Sequence, residues 1–127
     1  MQKQIIRTPD APSTPFYSQA VKVGPTIYVS GMAGIDVKTG KPAGLTIQEQ
    51  THQALLNCEA ILRAAGATRD DVVDVLMFLA RPEDFSGLNE AYSKFFAKDL
   101  PARSVAKLGV DFPNVLVAIR MTAVAPA

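Results

Sequence analysis

A single histidine, His52, and a single cysteine, Cys58, are all that this chain offers to the commonest nucleophilic chemistry. Ser/His or Cys/His catalysis would need His52 as its base. The two lie six residues apart, which on a helix is about a third of a turn off a common direction, so they do not converge. Cys58 falls on an apolar stripe and reads as a core thiol, His52 as an ordinary helix histidine. A zinc site lacks ligands, and no GxGxxG, P-loop or GxSxG pattern is present. The remaining candidates bind rather than attack. Arg103 opens a strand between apolar neighbours after Pro101-Ala102. A guanidinium there either closes a structural ion pair or presents its planar fork to a carboxylate. Lys107 and Arg120 on neighbouring strands make the region more positive, which favours an anionic small molecule. Asn89 interrupts an aromatic and aliphatic helix stripe. Its amide is either satisfied in the core or at a cap, or it serves a site, since an unpaired one costs about 1–3 kcal/mol. Phe16 and Tyr17 end a Pro-rich loop and read as anchors that pin it.

Strands and two helices must hold these groups. Lys3–Arg7 reads as a short first strand, followed by a rigid extended loop from Pro9 to Pro15. Val21 and Val23 precede Gly24-Pro25, and Thr26–Ser30 is rich in β-branched and aromatic residues, which predicts an antiparallel pair turning at that dipeptide. Asp36–Gly40 is polar turn chemistry. Thr46 with Glu49 forms a capping box, and Gly66 stands where a left-handed C-terminal cap is wanted. Between them Leu55, Cys58, Leu62 and Ala65 make one apolar stripe. Val72–Leu79 suits a buried strand. A second helix is expected from about Glu83 to Lys98, with Phe85, Leu88, Tyr92, Phe95 and Phe96 on one face. Arg103–Leu108 and Asn114–Val124 complete the strands; in the last, Val115, Val117, Ile119 and Met121 alternate with Leu116, Ala118, Arg120 and Thr122. This order predicts an α+β fold, a sheet with two helices on one face. The other face needs a cover, and a second copy of the chain is the expected one.

The 127 residues suit one domain, 1–127, able to bury about two-thirds of its extended surface without staples. At 48% hydrophobic and 20% charged the composition is that of a globular protein. Thirteen basic against twelve acidic residues leave a net charge of +1, without the footprint of a nucleic-acid or anionic-membrane partner. One cysteine allows no intrachain disulfide. No apolar run approaches the roughly 20 residues of a membrane span, and the N-terminus lacks signal-peptide features. The expectation is a cytoplasmic protein.

Taken in order, Pro15–Ala20, Ser30-Gly31, the Ala64-Ala65-Gly66 helix ending, Leu88–Tyr92 with Phe95-Phe96, and Pro101-Ala102-Arg103-Ser104 resemble the Rid (YjgF, RidA-type) superfamily along essentially the whole chain. The resemblance implies a chorismate-mutase-like α+β fold, trimerising through its sheets into a homotrimer with three clefts between subunits. It implies cofactor-free hydrolysis of reactive enamines and imines to a 2-keto acid and ammonia. Carried over by position, Arg103 would hold the substrate carboxylate. The backbone at Gly31 and Val105 would line the pocket, Tyr17 would come from a neighbouring subunit, and Ser30 and Asn89 would shape the cleft. Deaminase-type members carry acidic residues on the last strand, one of them positioning the hydrolytic water. Here the matching positions are Thr122 and Arg120. A threonine hydroxyl orients water but is no general base near neutral pH, and loss of such help typically costs about 10²–10⁴-fold. Two readings stay open: an imine or enamine hydrolase, with Glu49, Glu59 or another chain's acid as possible base, and a non-catalytic trimer that binds 2-keto acids. A ribonuclease has no base–nucleophile pair and no basic stripe to rest on.

Overall fold

The computed structural model describes residues 1–127. Its strands are β1 (Lys3–Ile6), β2 (Ala20–Val23), β3 (Thr26–Ala33), β4 (Ile35–Asp36), β5 (Lys41–Pro42), β6 (Val72–Leu79), β7 (Ala102–Lys107) and β8 (Val117–Val124). The helices are α1 (Ile47–Ala64) and α2 (Phe85–Phe95), each near a short 3₁₀ turn, Arg69–Asp71 after α1 and Pro82–Asp84 before α2. Six strands form one sheet in the order β1-β2-β3-β8-β6-β7, and β4-β5 is a separate two-stranded ribbon. Only β6 and β7 run parallel within that sheet, as a strand–helix–strand crossover through α2 requires. Both helices pack on one face, so the expected α+β architecture stands. No helix is long and apolar enough to cross a membrane.

Helix α1 begins as its capping box dictates: the Thr46 hydroxyl accepts from the Glu49 amide, and the Glu49 carboxylate returns to Thr46. It ends at Gly66, whose φ of 87° lies in the left-handed region that glycine enters without strain. Its stripe, with Leu55, Cys58, Ile61 and Leu62 fully buried, packs on Ile27 and Val29 of β3 and Ile119 and Met121 of β8 in a single apolar cluster. Gly34 lets the chain pass directly against the backbone of Gln50; a Cβ there would overlap that backbone.

Several boundaries differ from those expected. The second helix starts at Phe85 because Arg81 holds the Asp84 carboxylate in a two-bond pair and Pro82–Asp84 stays 3₁₀. It stops at Phe95, since Phe96 turns to extended backbone and Asp99 takes a φ of 49°. The last strand begins at Val117, not Asn114. Asn114 is left-handed (φ 63°), and the Leu116 amide donates to the buried side chain of Gln50 rather than to a neighbouring strand. Strand β6 has the expected limits but is not buried on both sides in the single chain. A bulge between Val72 and Asp74 leaves Val73 and Asp74 exposed, while Val75, Met77 and Leu79 face the helices. The face away from the helices carries Ile5, Tyr28 and Val124, all exposed.

Candidate functional site

Arg103 sits on β7, a sheet edge, beside Val75 of β6 and therefore on the helix-facing side. The crossover brings α2 over it, and Asn89 answers with its side-chain carbonyl: Arg103 Nη1 donates to Asn89 Oδ1 at 2.7 Å. The guanidinium carbon lies 4.7 Å from the Tyr92 ring centroid and 5.9 Å from that of Phe85, a cation–π setting. Val105 follows on the same side of β7, partly buried against the core. The chain's four ion pairs are Arg63–Glu59, Arg69–Glu59, Arg81–Asp84 and Lys94–Glu90. Arg103 is in none of them. Of the two readings left open for this residue, the structural ion pair is thus excluded within the chain, and most of the donor fork is free. Burial pushes the Tyr92 phenol above its ordinary range, against the opposing field of Arg103, and the Tyr92 hydroxyl is buried without a partner.

A second group of candidates meets elsewhere. Strand β3 changes register against β8 between Val29 and Met32, so Ser30 and Gly31 form a bulge. The Ser30 hydroxyl donates to the Ser18 carbonyl at 2.6 Å and its amide to the Gln19 carbonyl at 2.9 Å, which ties the Pro-rich loop to the strand. The loop is closed from inside by Gln19, 5% exposed. Its side chain accepts from the Thr8 amide and donates to the carbonyls of Thr8, Ala11 and Pro12. Tyr17, Ser30 and Gly31 then share a cavity of about 410 Å³ with Val21, Tyr28, Val29 and Arg120. Thr122 lies one cross-strand pair further along β8, flanked by Tyr28 on β3 and Asp74 on β6, and is not part of that lining.

The two groups do not meet within one chain. Strands β3 and β7 are separated by β8 and β6, about 14 Å across three strand spacings, and Arg103 faces the helix side while Arg120 is on the open side. The two glutamates considered as bases are both engaged. Glu49 caps α1. Glu59, 7% exposed, is held by Arg69, which stacks 3.8 Å from the Phe95 ring centroid and donates to the Phe95 carbonyl. Burial alone raises the Cys58 thiol from 9.0 to about 12, so it is no nucleophile near neutral pH. His52 is on the exposed surface of α1. Three features escaped the sequence reading: the Gln19 latch, the aromatic setting of Arg103, and Asp74 on the open face. A polar residue next to buried Ala20 marks the first; the bulge that exposes the third has no signature in an apolar run.

A helix-backed mixed sheet with an arginine edge site and a bulged open-face site defines a class, and the comparisons agree with it. The family model described as Endoribonuclease L-PSP matches residues 8–125. A RutC family protein of Saccharolobus solfataricus is 42% identical over 123 residues, covering 95% of this chain and 97% of that protein. A 2-iminobutanoate/2-iminopropanoate deaminase of Dermatophagoides farinae is 42% identical over 104 residues, 80% of each chain. The crystal structure of E. coli TdcF with bound serine superimposes with a TM-score of 0.90 at 30% identity, covering 97% of this chain and 99% of that one. The chain belongs to the Rid (YjgF) superfamily, among the RutC family and L-PSP proteins.

Proposed function

We propose that residues 1–127 form one Rid-type domain that assembles as a homotrimer through the open sheet faces. In each intersubunit cleft it binds a small imino, enamine or 2-keto acid, which it hydrolyses, when it is an imine or enamine, to keto acid and ammonia. One observation carries this reading: a half-buried guanidinium set between aromatic rings, oriented by Asn89 and left without a carboxylate of its own. Such a group binds a carboxylate by two parallel hydrogen bonds. Asn89, Val105 and Arg103 supply one wall; Tyr17, Ser30 and Gly31 of a neighbouring copy supply the other. Relatives named as imine deaminases support the reaction class, and a relative crystallised with serine supports a small amino-acid-like ligand. Water adds to the imine carbon, the carbon–nitrogen bond breaks, and nitrogen leaves as ammonia, with no cofactor in the balance. Thr122 orients the water by its hydroxyl, and the inherent reactivity of the substrate replaces strong base catalysis.

A non-catalytic trimer that holds keto acids is the second reading, favoured by the engagement of Glu49 and Glu59. The deciding experiment is ammonia release from freshly generated 2-aminoacrylate and larger imino acids. The hydrolase reading expects acceleration that falls at least about 100-fold in kcat/KM in Arg103→Ala, as loss of a two-bond charged contact implies. It also expects activity kept or raised in Thr122→Glu. Binding of 2-keto acids with no acceleration of any imine would favour the second reading.

A further inference from the structure

The cavity at Ser30-Gly31 carries a charge for which the single-carboxylate reading has no use. Arg120 lies on the open face of β8, between Leu76 of β6 and the Ser30-Gly31 bulge of β3. Neither neighbour is charged. It takes part in none of the chain's ion pairs or side-chain hydrogen bonds. The other residues lining the cavity are Tyr17, Val21, Tyr28, Val29, Ser30 and Gly31, so Arg120 is the one charged side chain in its lining. The nearest acid in the register is Asp74, which stands opposite Thr122 rather than Arg120 and forms no ion pair with it. A diagonal cross-strand neighbour of this kind is about 7–8 Å away. The cavity therefore contains an unpartnered guanidinium between aromatic rims, while the Ser30 hydroxyl is spent on the Ser18 carbonyl, so Arg120 is the group there that can take an anion.

We infer that Arg120 is a specificity-determining residue of the cleft, and that the ligand it selects is a dicarboxylate: an imino or 2-keto acid with a second carboxylate at the far end of its chain. This rests on the assignment of Arg103 to the first carboxylate. Arg103 of one copy holds the carboxylate beside the reacting carbon, and Arg120 of the neighbouring copy holds the distal one. Both are arginines, whose planar fork matches a carboxylate. The two cations together bias the cleft against ligands with an apolar tail, which would leave Arg120 desolvated and unpaired.

The test compares 2-oxoglutarate with 2-oxopentanoate, five-carbon 2-keto acids that differ only in a terminal carboxylate or methyl, by titration calorimetry on the full chain at one salt concentration. The parent protein is expected to bind 2-oxoglutarate at least about tenfold more tightly. Arg120→Gln should abolish that preference, Arg120→Lys should keep part of it, and Arg120→Glu should reverse it. Arg103→Ala should weaken both ligands. Equal affinity in the parent, or an undiminished preference in Arg120→Gln, overturns the inference. So does a change of oligomeric state in Arg120→Gln with no change in preference, which would make Arg120 a subunit-pairing residue. Arg103-dependent binding of 2-oxopentanoate without a dicarboxylate preference removes this inference alone; no Arg103-dependent binding of either acid removes the Arg103 assignment with it.

Discussion

Arg103 has given up part of its hydration to Phe85 and Tyr92 and has received only neutral acceptors in return, the Asn89 carbonyl and, at 4.0 Å, the Met77 sulfur. An arginine buried for structural reasons recovers that loss from an acid, as Arg69 does from Glu59. The contrast between these two arginines is the basis for assigning one to structure and the other to a ligand. Pattern alone left Arg103 undecided, because an ion pair depends on what packs across from it, and only the fold shows that no acid does. Asn89 was legible as an intruder on its stripe, but its partner was not. Cys58 was legible as core from its helical phase. Its burial has a consequence in pH: the unfolded thiol ionises near 9.0 while the folded one waits until about 12. Stability should accordingly be undiminished by this group below pH 9 and fall as the pH rises above it, because there the unfolded chain binds fewer protons. Urea midpoints at pH 8 and pH 10.5 should show a loss that is smaller in Cys58→Ala, and iodoacetamide at pH 8 should label Cys58 only after unfolding. Rapid labelling of the native protein would contradict the burial.

Polar side chains fix the start of α1, the entrance to β8 and the Pro-rich loop, the first from the surface and the other two from inside. Thr46 and Glu49 start α1, Gln50 takes the Leu116 amide and the Gly44 and Asn114 carbonyls at the entrance to β8, and Gln19 closes the Pro-rich loop. The capping box was readable because its partners are three residues apart in the chain. Gln50 and Gln19 were not, since their partners lie up to 66 residues away for the first and across a loop for the second. The same long-range contact shortened β8 relative to its alternating pattern: once Gln50 claims the Leu116 amide, Val115 and Leu116 leave the ladder. Gln19→Leu removes the donor for three carbonyls and the acceptor for the Thr8 amide, each buried polar group left unpaired costing about 1–3 kcal/mol. Limited proteolysis should then cut between residues 8 and 18 much faster than in the parent, and Tyr17 should lose its place in the cavity. An unchanged cleavage pattern would show that Pro9, Pro12 and Pro15 hold the loop without the latch.

At the scale of the whole molecule, the arrangement of the sheet holds the two groups of candidate residues apart within one chain. The order β3-β8-β6-β7 keeps the Ser30-Gly31 bulge and Arg103 apart and on opposite faces. The α+β class and the count of two helices were evident from element order, because hydrophobic periodicity separates strand from helix. The sheet order was not, as nothing local says that the last strand inserts between the third and the sixth. The exposed apolar residues of the open face, Ile5, Tyr28, Val73 and Val124 among them, are the surface a neighbouring copy would cover, joining its Tyr17, Ser30 and Gly31 to the Arg103 of the first chain. Subunit mixing tests this most directly. Arg103→Ala damages one half of the cleft and Gly31→Trp the other, so each variant alone should fail to bind a 2-keto acid or release ammonia. When the two variants are unfolded together in equal amounts and refolded, about a quarter of the clefts should pair an intact half from each, restoring binding and turnover to that level. No recovery from the refolded mixture, with assembly intact, would place the whole site within one chain and contradict the account.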